Sequence, residues 1–142
     1  MVMKHLLLIC LLLFCVACEE NESVDPTIMP EVTATGANTF GCLVDGWVYT
    51  SGRWGLPNAA YEERGEDSGM TVSAQVGFDS YIRFTVVAPK AGETCPYKNA
   101  SFENQKLEDG QVYISRMSDG VFSGTFEGGR VSKGRFDLKY KE

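Results

Sequence analysis

Apolar and polar side chains alternate with a period of two along most of the chain after Phe40. The alternation is clearest in Thr71–Val76, Tyr81–Val87 and Arg135–Tyr140. Such a pattern is typical of a strand with one buried and one solvated face. No stretch of ten residues carries the i, i+3, i+4, i+7 apolar spacing of an amphipathic helix. The sequence therefore predicts an all-β fold.

Turn-forming residues interrupt this alternation at regular intervals. Asp45-Gly46 and Asp119-Gly120 each separate two apolar runs, and Asp-Gly in that position predicts a tight hairpin. Asp109-Gly110 predicts a turn that leads into the strand at residues 112–117. Ala88-Pro89 is expected to end the strand Tyr81–Val87.

These boundaries predict about seven to nine short strands, arranged as a single antiparallel β-sandwich or a small meander barrel. The expected strands cover residues 40–44, 47–50, 70–76, 80–87, 112–117, 121–127 and 134–140, with weaker segments near 60–63 and 97–103.

The N-terminus differs in composition from this body. Residues 1–17 are apolar except for Lys4 and His5, and the apolar run Leu6–Ala17 is shorter than the ~20 residues of a membrane-spanning helix. A short positive start and a short apolar core predict a secretory signal peptide over residues 1–17.

Cys15-Val16-Ala17-Cys18 resembles a bacterial lipobox, with Cys15 where leucine is usual. The resemblance implies that Cys18 is acylated, with palmitate among its chains, and becomes the first residue of a membrane-attached lipoprotein. Several acyl chains anchor a protein firmly, since each buried methylene contributes about 0.8 kcal/mol. An ordinary secretory signal with a free Cys18 is the alternative.

Residues 18–35 carry several acidic side chains and prolines without periodicity, which predicts a disordered acidic tether before a domain spanning residues 36–142. Acidic residues directly after the lipidated cysteine resemble the surface-export signal of Bacteroidetes lipoproteins. This implies an outer-membrane lipoprotein exposed at the cell surface, with the periplasmic face as the alternative.

Two cysteines, Cys42 and Cys95, are left beyond Cys18. In an exported protein an even number of cysteines favours a disulfide. This one would close a loop of about 54 residues and contribute about 4 kcal/mol on the chain-entropy model. Cys42 is also in phase with Phe40 and Val44, so it could instead be a small buried apolar residue.

Charge and composition exclude several functions. Beyond residue 17 the chain has 12 basic and 19 acidic residues, a net charge of −7, which disfavours nucleic-acid binding. The sole histidine is His5, so histidine-dependent catalysis and histidine metal sites are excluded from the mature chain. No cofactor motif is present. A hydrolase using two carboxylates stays possible in principle.

The acidic cluster Glu62–Asp67 could bind calcium through its oxygen atoms. It lacks the spaced pattern of a calcium loop, so a solvated surface loop is the simpler interpretation, and no metal site is predicted.

Four aromatic residues lie close together in sequence: Trp47, Tyr49, Trp54 and Tyr61. Flat rings with polar edges stack on sugars at low entropic cost, so this region could form a ligand-binding platform. The alternative is that the rings complete a core that is poor in leucine.

The run Thr35–Gly46 (TGANTFGCLVDG) and the closing segment Gly134–Tyr140 (GRFDLKY) resemble the two conserved blocks of an uncharacterised family of Bacteroidetes lipoproteins. The resemblance implies a small, lipid-anchored, mostly β domain and brings no activity with it. We expect a non-enzymatic module that binds a ligand, such as a glycan, or an envelope protein. A structural subunit of an envelope complex is the alternative.

Overall fold

The computed structural model describes residues 25–141 of the 142-residue chain. The predicted signal peptide (1–17) and the predicted lipidation site, Cys18, lie outside this range. The described part contains ten β-strands, one 3₁₀ turn at Gly65–Asp67 and no α-helix, which confirms the predicted all-β fold. The strands are β1 (Thr39–Val44), β2 (Trp47–Thr50), β3 (Asn58–Glu62), β4 (Gly69–Gln75), β5 (Tyr81–Val87), β6 (Thr94–Phe102), β7 (Gln105–Lys106), β8 (Gly110–Ser118), β9 (Val121–Gly128) and β10 (Val131–Lys139).

All strands belong to one antiparallel sheet in the order β2-β1-β10-β9-β8-β6-β5-β4-β3, with β7 paired to β6. The first half of β6 pairs with β8 and its second half with β5, so the strand is shared by two parts of the sheet. The sheet curls into a half-barrel, in keeping with the predicted small sandwich or meander barrel.

Every predicted strand is present, including the two weaker segments, which correspond to β3 and β6. One strand was missed. Gln105–Lys106 forms β7, and two residues are too few to show a period of two.

The two predicted Asp-Gly hairpins are confirmed by their backbone angles. Asp45 and Gly46 have φ of 53° and 84°, and Asp119 and Gly120 have φ of 53° and 71°. Positive φ at both central residues defines the type I′ turn, whose twist matches that of the strands it connects.

The core lies inside the curl of the sheet, where side chains from distant strands meet. Phe84 on β5 contacts Phe126 on β9, with ring centroids 4.7 Å apart. Tyr49 on β2 contacts Phe102 on β6 at 4.9 Å. These strands are not neighbours in the sheet order, so the contacts show that curling creates a single shared interior.

The segment before β1 differs from the predicted disordered tether over residues 25–35. The Thr50 hydroxyl donates to the carbonyl of Pro26 (3.0 Å), and Arg116 donates to the carbonyl of Ala34 (2.8 Å). Thr33 and Thr35 bind the carboxylate of Asp137. Residues 26–37, called the N-terminal strap below, therefore lie on the outer face of the sheet, because the body supplies hydrogen-bonding partners that sequence composition does not reveal.

The predicted Cys42–Cys95 disulfide is not formed. Both cysteines are free and buried. Cys42 lies on β1 and Cys95 on β6, and three strands separate β1 from β6 in the sheet. Burial raises the pKa of the Cys42 thiol to about 12. The alternative interpretation of Cys42, a small buried residue in phase with Phe40 and Val44, matches its position in the core.

Candidate functional site

The four aromatic residues of the predicted platform occupy different environments. Trp47 on β2 is 73% exposed and Tyr61 on β3 is 62% exposed. Tyr49 is half-buried and packs on Phe102 in the core. Trp54 is half-buried in the loop between β2 and β3, with a guanidinium 5.7 Å from its ring centroid.

These rings do not form one continuous platform. β2 and β3 are at opposite ends of the strand order, and no ring–ring contact among residues 25–141 joins two of the four. Tyr61 instead lines a cleft of about 620 Å³ between β3 and the end of β10, together with Tyr140. Neither the single platform nor the core interpretation describes all four residues.

Two of the four acidic side chains in the cluster Glu62–Asp67 are in ion pairs. Glu62 accepts hydrogen bonds from Arg64 and Arg83. The hydrogen bond from Arg64 lowers the pKa of Glu62, and this effect outweighs the increase that burial causes. Asp67 lies 3.3 Å from the ammonium of Lys98. Within residues 25–141 no group of three metal-ligating side chains is placed to hold an ion.

A groove of about 380 Å³ on the outer face of β8, β9 and β10 is a candidate site. It continues into a hollow of about 470 Å³ that shares Gln111 and Glu127 with it. Both volumes are in the range of small-molecule sites in proteins. We call the two together the outer groove; the side chains that matter for its chemistry are Gln111, Tyr113, Thr125, Glu127, Lys133 and Arg135.

Strand register aligns the central side chains of the outer groove. Thr94 pairs with Tyr113, Tyr113 with Thr125, and Thr125 with Arg135. Directly paired residues point to the same face of a sheet, so the four form a row across β6, β8, β9 and β10. Tyr113 is 48% exposed, and a threonine lies on each side of its ring.

The charged groups of the outer groove are not neutralised by one another. Elsewhere on the described part of the surface, five ion pairs join acidic and basic side chains. Within residues 25–141, Glu127 and Lys133 make no ion pair and no side-chain hydrogen bond, and neither does the amide of Gln111. The groove therefore presents both donors and acceptors that are available to a ligand.

One wall of the outer groove is connected to the N-terminal strap. Nη1 of Arg135 donates to the carbonyl of Pro30 (3.2 Å), and its Nε donates to the carbonyl of Lys133 (3.2 Å). Two carbonyl acceptors restrict the rotation of the guanidinium, which leaves three of its five N–H groups, two of them on Nη2, to donate to a ligand.

A buried tyrosine lies beneath the hollow. Tyr97 is 1% exposed, and its hydroxyl has no hydrogen-bonding partner within the described residues. A Cβ at Gly110 would lie 2.4 Å from this hydroxyl, and a Cβ at Gly128 would lie 2.6 Å from it. Both positions therefore need glycine, because any side chain there would clash with the Tyr97 hydroxyl. Burial raises the pKa of Tyr97 to about 12, and Cys42, Asp109 and Glu127 raise it further in the same direction.

Asp137 on β10 is a buried carboxylate that the sequence did not single out. It is 1% exposed and accepts hydrogen bonds from the hydroxyls of Thr33 (2.6 Å) and Ser123 (2.6 Å). The backbone N–H groups of Thr35, Gly36 and Ala37 also donate to it, at 3.0, 2.7 and 3.2 Å. Asp137 therefore fixes the strap to the sheet, and its role is structural.

The surroundings of Asp137 lower its pKa. Burial alone would raise it, but the hydrogen bonds from Ser123, Thr33, Thr35 and Gly36 outweigh that effect. Each donor stabilises the charged form, so the carboxylate is held ionised without a basic partner.

Sequence reasoning missed the outer groove, although a signal was present. Gln111 and Tyr113 alternate with the buried Val112 and Ile114, which places a large aromatic ring on the polar face of β8. An aromatic residue in the polar phase of a strand is the feature that could have indicated the site. The approach of Glu127, Lys133 and Arg135 depends on strand order, which the sequence did not provide.

Comparison with known proteins found no matching protein-family model, no curated relative and no similar solved structure. In residues 25–141 there is no helix with the length and apolar character needed to span a membrane.

Proposed function

We propose that this protein is a lipid-anchored lipoprotein of the bacterial cell envelope that binds a ligand at the outer groove without catalysing a reaction. The observation that carries the proposal is the groove itself, where the exposed Tyr113 lies among Gln111, Glu127 and Lys133, whose side chains make no ion pair or hydrogen bond within residues 25–141. The lipobox-like segment ending at Cys18 and the resemblance to Bacteroidetes lipoproteins support the anchor.

The proposed anchor places the groove near a membrane. The Cys18 acyl chains would hold the chain at an outer membrane, on the surface or on the periplasmic face, and the strap docks beside the groove through the Arg135–Pro30 hydrogen bond. The short residue span between Cys18 and the strap limits how far the groove can lie from the lipid surface.

The anchor is tested by comparing the full-length chain with Cys18→Ser in a bacterial host that has an outer membrane. We expect the wild type in the membrane fraction, with a mass increase at Cys18 that corresponds to its acyl chains, and the variant in the soluble fraction. A wild-type chain recovered unmodified from the soluble fraction would contradict the proposal.

Binding is tested with a charge exchange in the groove, Glu127→Lys combined with Lys133→Glu, which keeps the net charge. With both exchanges made in the unacylated Cys18→Ser chain, retention on cell envelopes of its own bacterium should fall by about fivefold or more, because donors and acceptors change places. The matched control is Glu63→Lys with Lys90→Glu, which exchanges two exposed charges outside the groove. Equal retention of both pairs would exclude the groove as the binding site.

A second candidate function is that of an accessory subunit that docks through a sheet edge. β2 is a four-residue edge strand, and Trp47 on it is 73% exposed. An unpaired edge can add a strand from another protein, and an exposed tryptophan is a typical interface anchor. A stoichiometric envelope protein that copurifies with the wild type and is lost in Trp47→Ala would favour this function.

A carboxylate-dependent hydrolase is the third alternative. Asp109 and Glu127 both line the hollow, and two carboxylates are the minimum for glycoside hydrolysis. Turnover of a saccharide that disappears in Glu127→Gln would establish this alternative in place of a non-enzymatic module.

A further inference from the structure

The chemical class of the ligand follows from the side chains of the outer groove, an inference that rests on the proposed function. Tyr113 provides an exposed ring, 48% accessible, in the centre of the row Thr94–Tyr113–Thr125–Arg135. With strands about 4.8 Å apart, a row across four strands spans about 14 Å. An elongated ligand with a flat apolar face could lie along it.

The groups around the ring require a ligand that both donates and accepts hydrogen bonds. The Glu127 carboxylate is an acceptor only, and Lys133 and Nη2 of Arg135 are donors only. The hydroxyls of Thr94 and Thr125 and the amide of Gln111 can do either. Hydroxyl groups are the ligand groups that can satisfy all of these partners at once.

The charge balance of the outer groove disfavours an ionic ligand. Asp109 and Glu127 carry two negative charges, and Lys133 and Arg135 carry two positive charges. A strongly anionic or cationic ligand would be attracted by one pair and repelled by the other. A neutral polyhydroxy ligand matches both pairs.

The shape of the site also favours a chain over a compact molecule. The groove and the adjoining hollow are continuous through Gln111 and Glu127, and both are open to solvent along the sheet surface. From these observations we propose that the outer groove binds a neutral oligosaccharide, with one sugar ring stacked on Tyr113 and its hydroxyls bonded to Glu127 and Arg135.

The experiment uses the mature chain purified from membranes in a zwitterionic detergent that has no sugar headgroup. Neutral tetrasaccharides of glucose, mannose, galactose and xylose are titrated calorimetrically, and tetragalacturonate serves as the acidic counterpart. We expect at least one neutral tetrasaccharide to bind and tetragalacturonate to bind at least about tenfold more weakly, because its carboxylates face Asp109 and Glu127.

Substitution of the central ring then locates the site. Tyr113→Ala should weaken binding of the neutral saccharide by about tenfold or more, since stacking on an aromatic ring is lost. Tyr113→Phe keeps the ring and should retain most of the affinity. Tyr81→Ala is the matched control, because Tyr81 is 56% exposed on β5 and lies outside the groove.

Three results would overturn the inference: no binding of any neutral tetrasaccharide, preferential binding of tetragalacturonate, or equal effects of Tyr113→Ala and Tyr81→Ala. These results are distinct from failure of the proposed function, which the acylation of Cys18 and the retention of the charge-exchange variant on envelopes test without any purified saccharide.

Discussion

The hydroxyl of Thr33 donates a 2.6 Å hydrogen bond to the carboxylate of Asp137, although 104 positions separate the two residues in the sequence. This bond belongs to a larger contact that β10 makes with the strap and with the start of β1. The side-chain oxygen of Asn38 accepts from the backbone N–H of Lys139 (3.1 Å), and Phe40 pairs with Phe136 across β1 and β10. The two sequence blocks Thr35–Gly46 and Gly134–Tyr140 are therefore two sides of one structural contact.

Asp137→Asn should destabilise the folded chain by about 2–4 kcal/mol, because an amide places N–H donors against the existing hydroxyl and backbone donors. Urea denaturation of the chain beginning at Glu19 measures the effect. Asp119→Asn is the control, since Asp119 is 83% exposed and its pairing with Arg116 is a weak surface contact. Similar losses in the two variants would contradict the structural role of Asp137.

Stability should fall in acid through the same carboxylate. The pKa of Asp137 is lower in the folded state than its unfolded value of about 3.9. The ionised carboxylate therefore stabilises the fold fully at pH values above about 3.9. This stabilisation is lost as the pH falls from about 3.9 towards the folded-state pKa. Denaturation midpoints measured from pH 7 to pH 2 should decline less steeply for Asp137→Asn than for the wild type. Parallel profiles would show that Asp137 is not the group responsible.

Tyr97→Phe should leave the free energy of unfolding unchanged or raise it by up to about 1 kcal/mol, because it removes a buried hydroxyl that has no partner among the described residues. Tyr97→Ala should instead cost about 3–5 kcal/mol through the cavity it leaves. Thermal unfolding of both variants provides the comparison. A clear destabilisation by the phenylalanine variant would mean that the hydroxyl is bonded in solution.

The two cysteines should behave as buried free thiols. Cys42 and Cys95 should resist alkylation in the folded protein, since reagents need access and a thiolate, and the pKa of Cys42 is raised to about 12. In denaturant without reductant, both should be alkylated. A mass that shows no added groups under those conditions would establish the disulfide after all.

The tryptophans should differ in their access to solvent. Trp47 is 73% exposed and Trp54 is half-buried. The variant Trp54→Phe leaves Trp47 as the reporter, and Trp47→Phe leaves Trp54. Acrylamide should quench the first variant with a larger quenching constant than the second, because Trp47 is more accessible. Equal constants would contradict the different placement of the two rings.

The strands and hairpins were predictable because their signals are local. A period of two identifies a half-buried strand from its own residues, and Asp45-Gly46 and Asp119-Gly120 carry the backbone preferences of their turns. β7 escaped prediction because it is too short to show a period. The strap escaped because its order depends on Asp137, Arg116 and Thr50, which lie far away in the sequence.

The candidate site was less predictable than the fold. Closeness in sequence suggested that Trp47, Tyr49, Trp54 and Tyr61 act together, but β2 and β3 diverge to the two ends of the strand order. The outer groove instead combines β8, β9 and β10, where register brings Tyr113 to Thr125 and Thr125 to Arg135.

By itself, the sequence determined the all-β class, the main strands and the two type I′ hairpins, because each depends on interactions between residues that are near neighbours in the chain. Tertiary structure alone decided that Cys42 and Cys95 stay apart, that the strap docks on Asp137, and which side chains share the outer groove. Those outcomes depend on strand order and on the curl of the sheet, and both arise from long-range packing of the core.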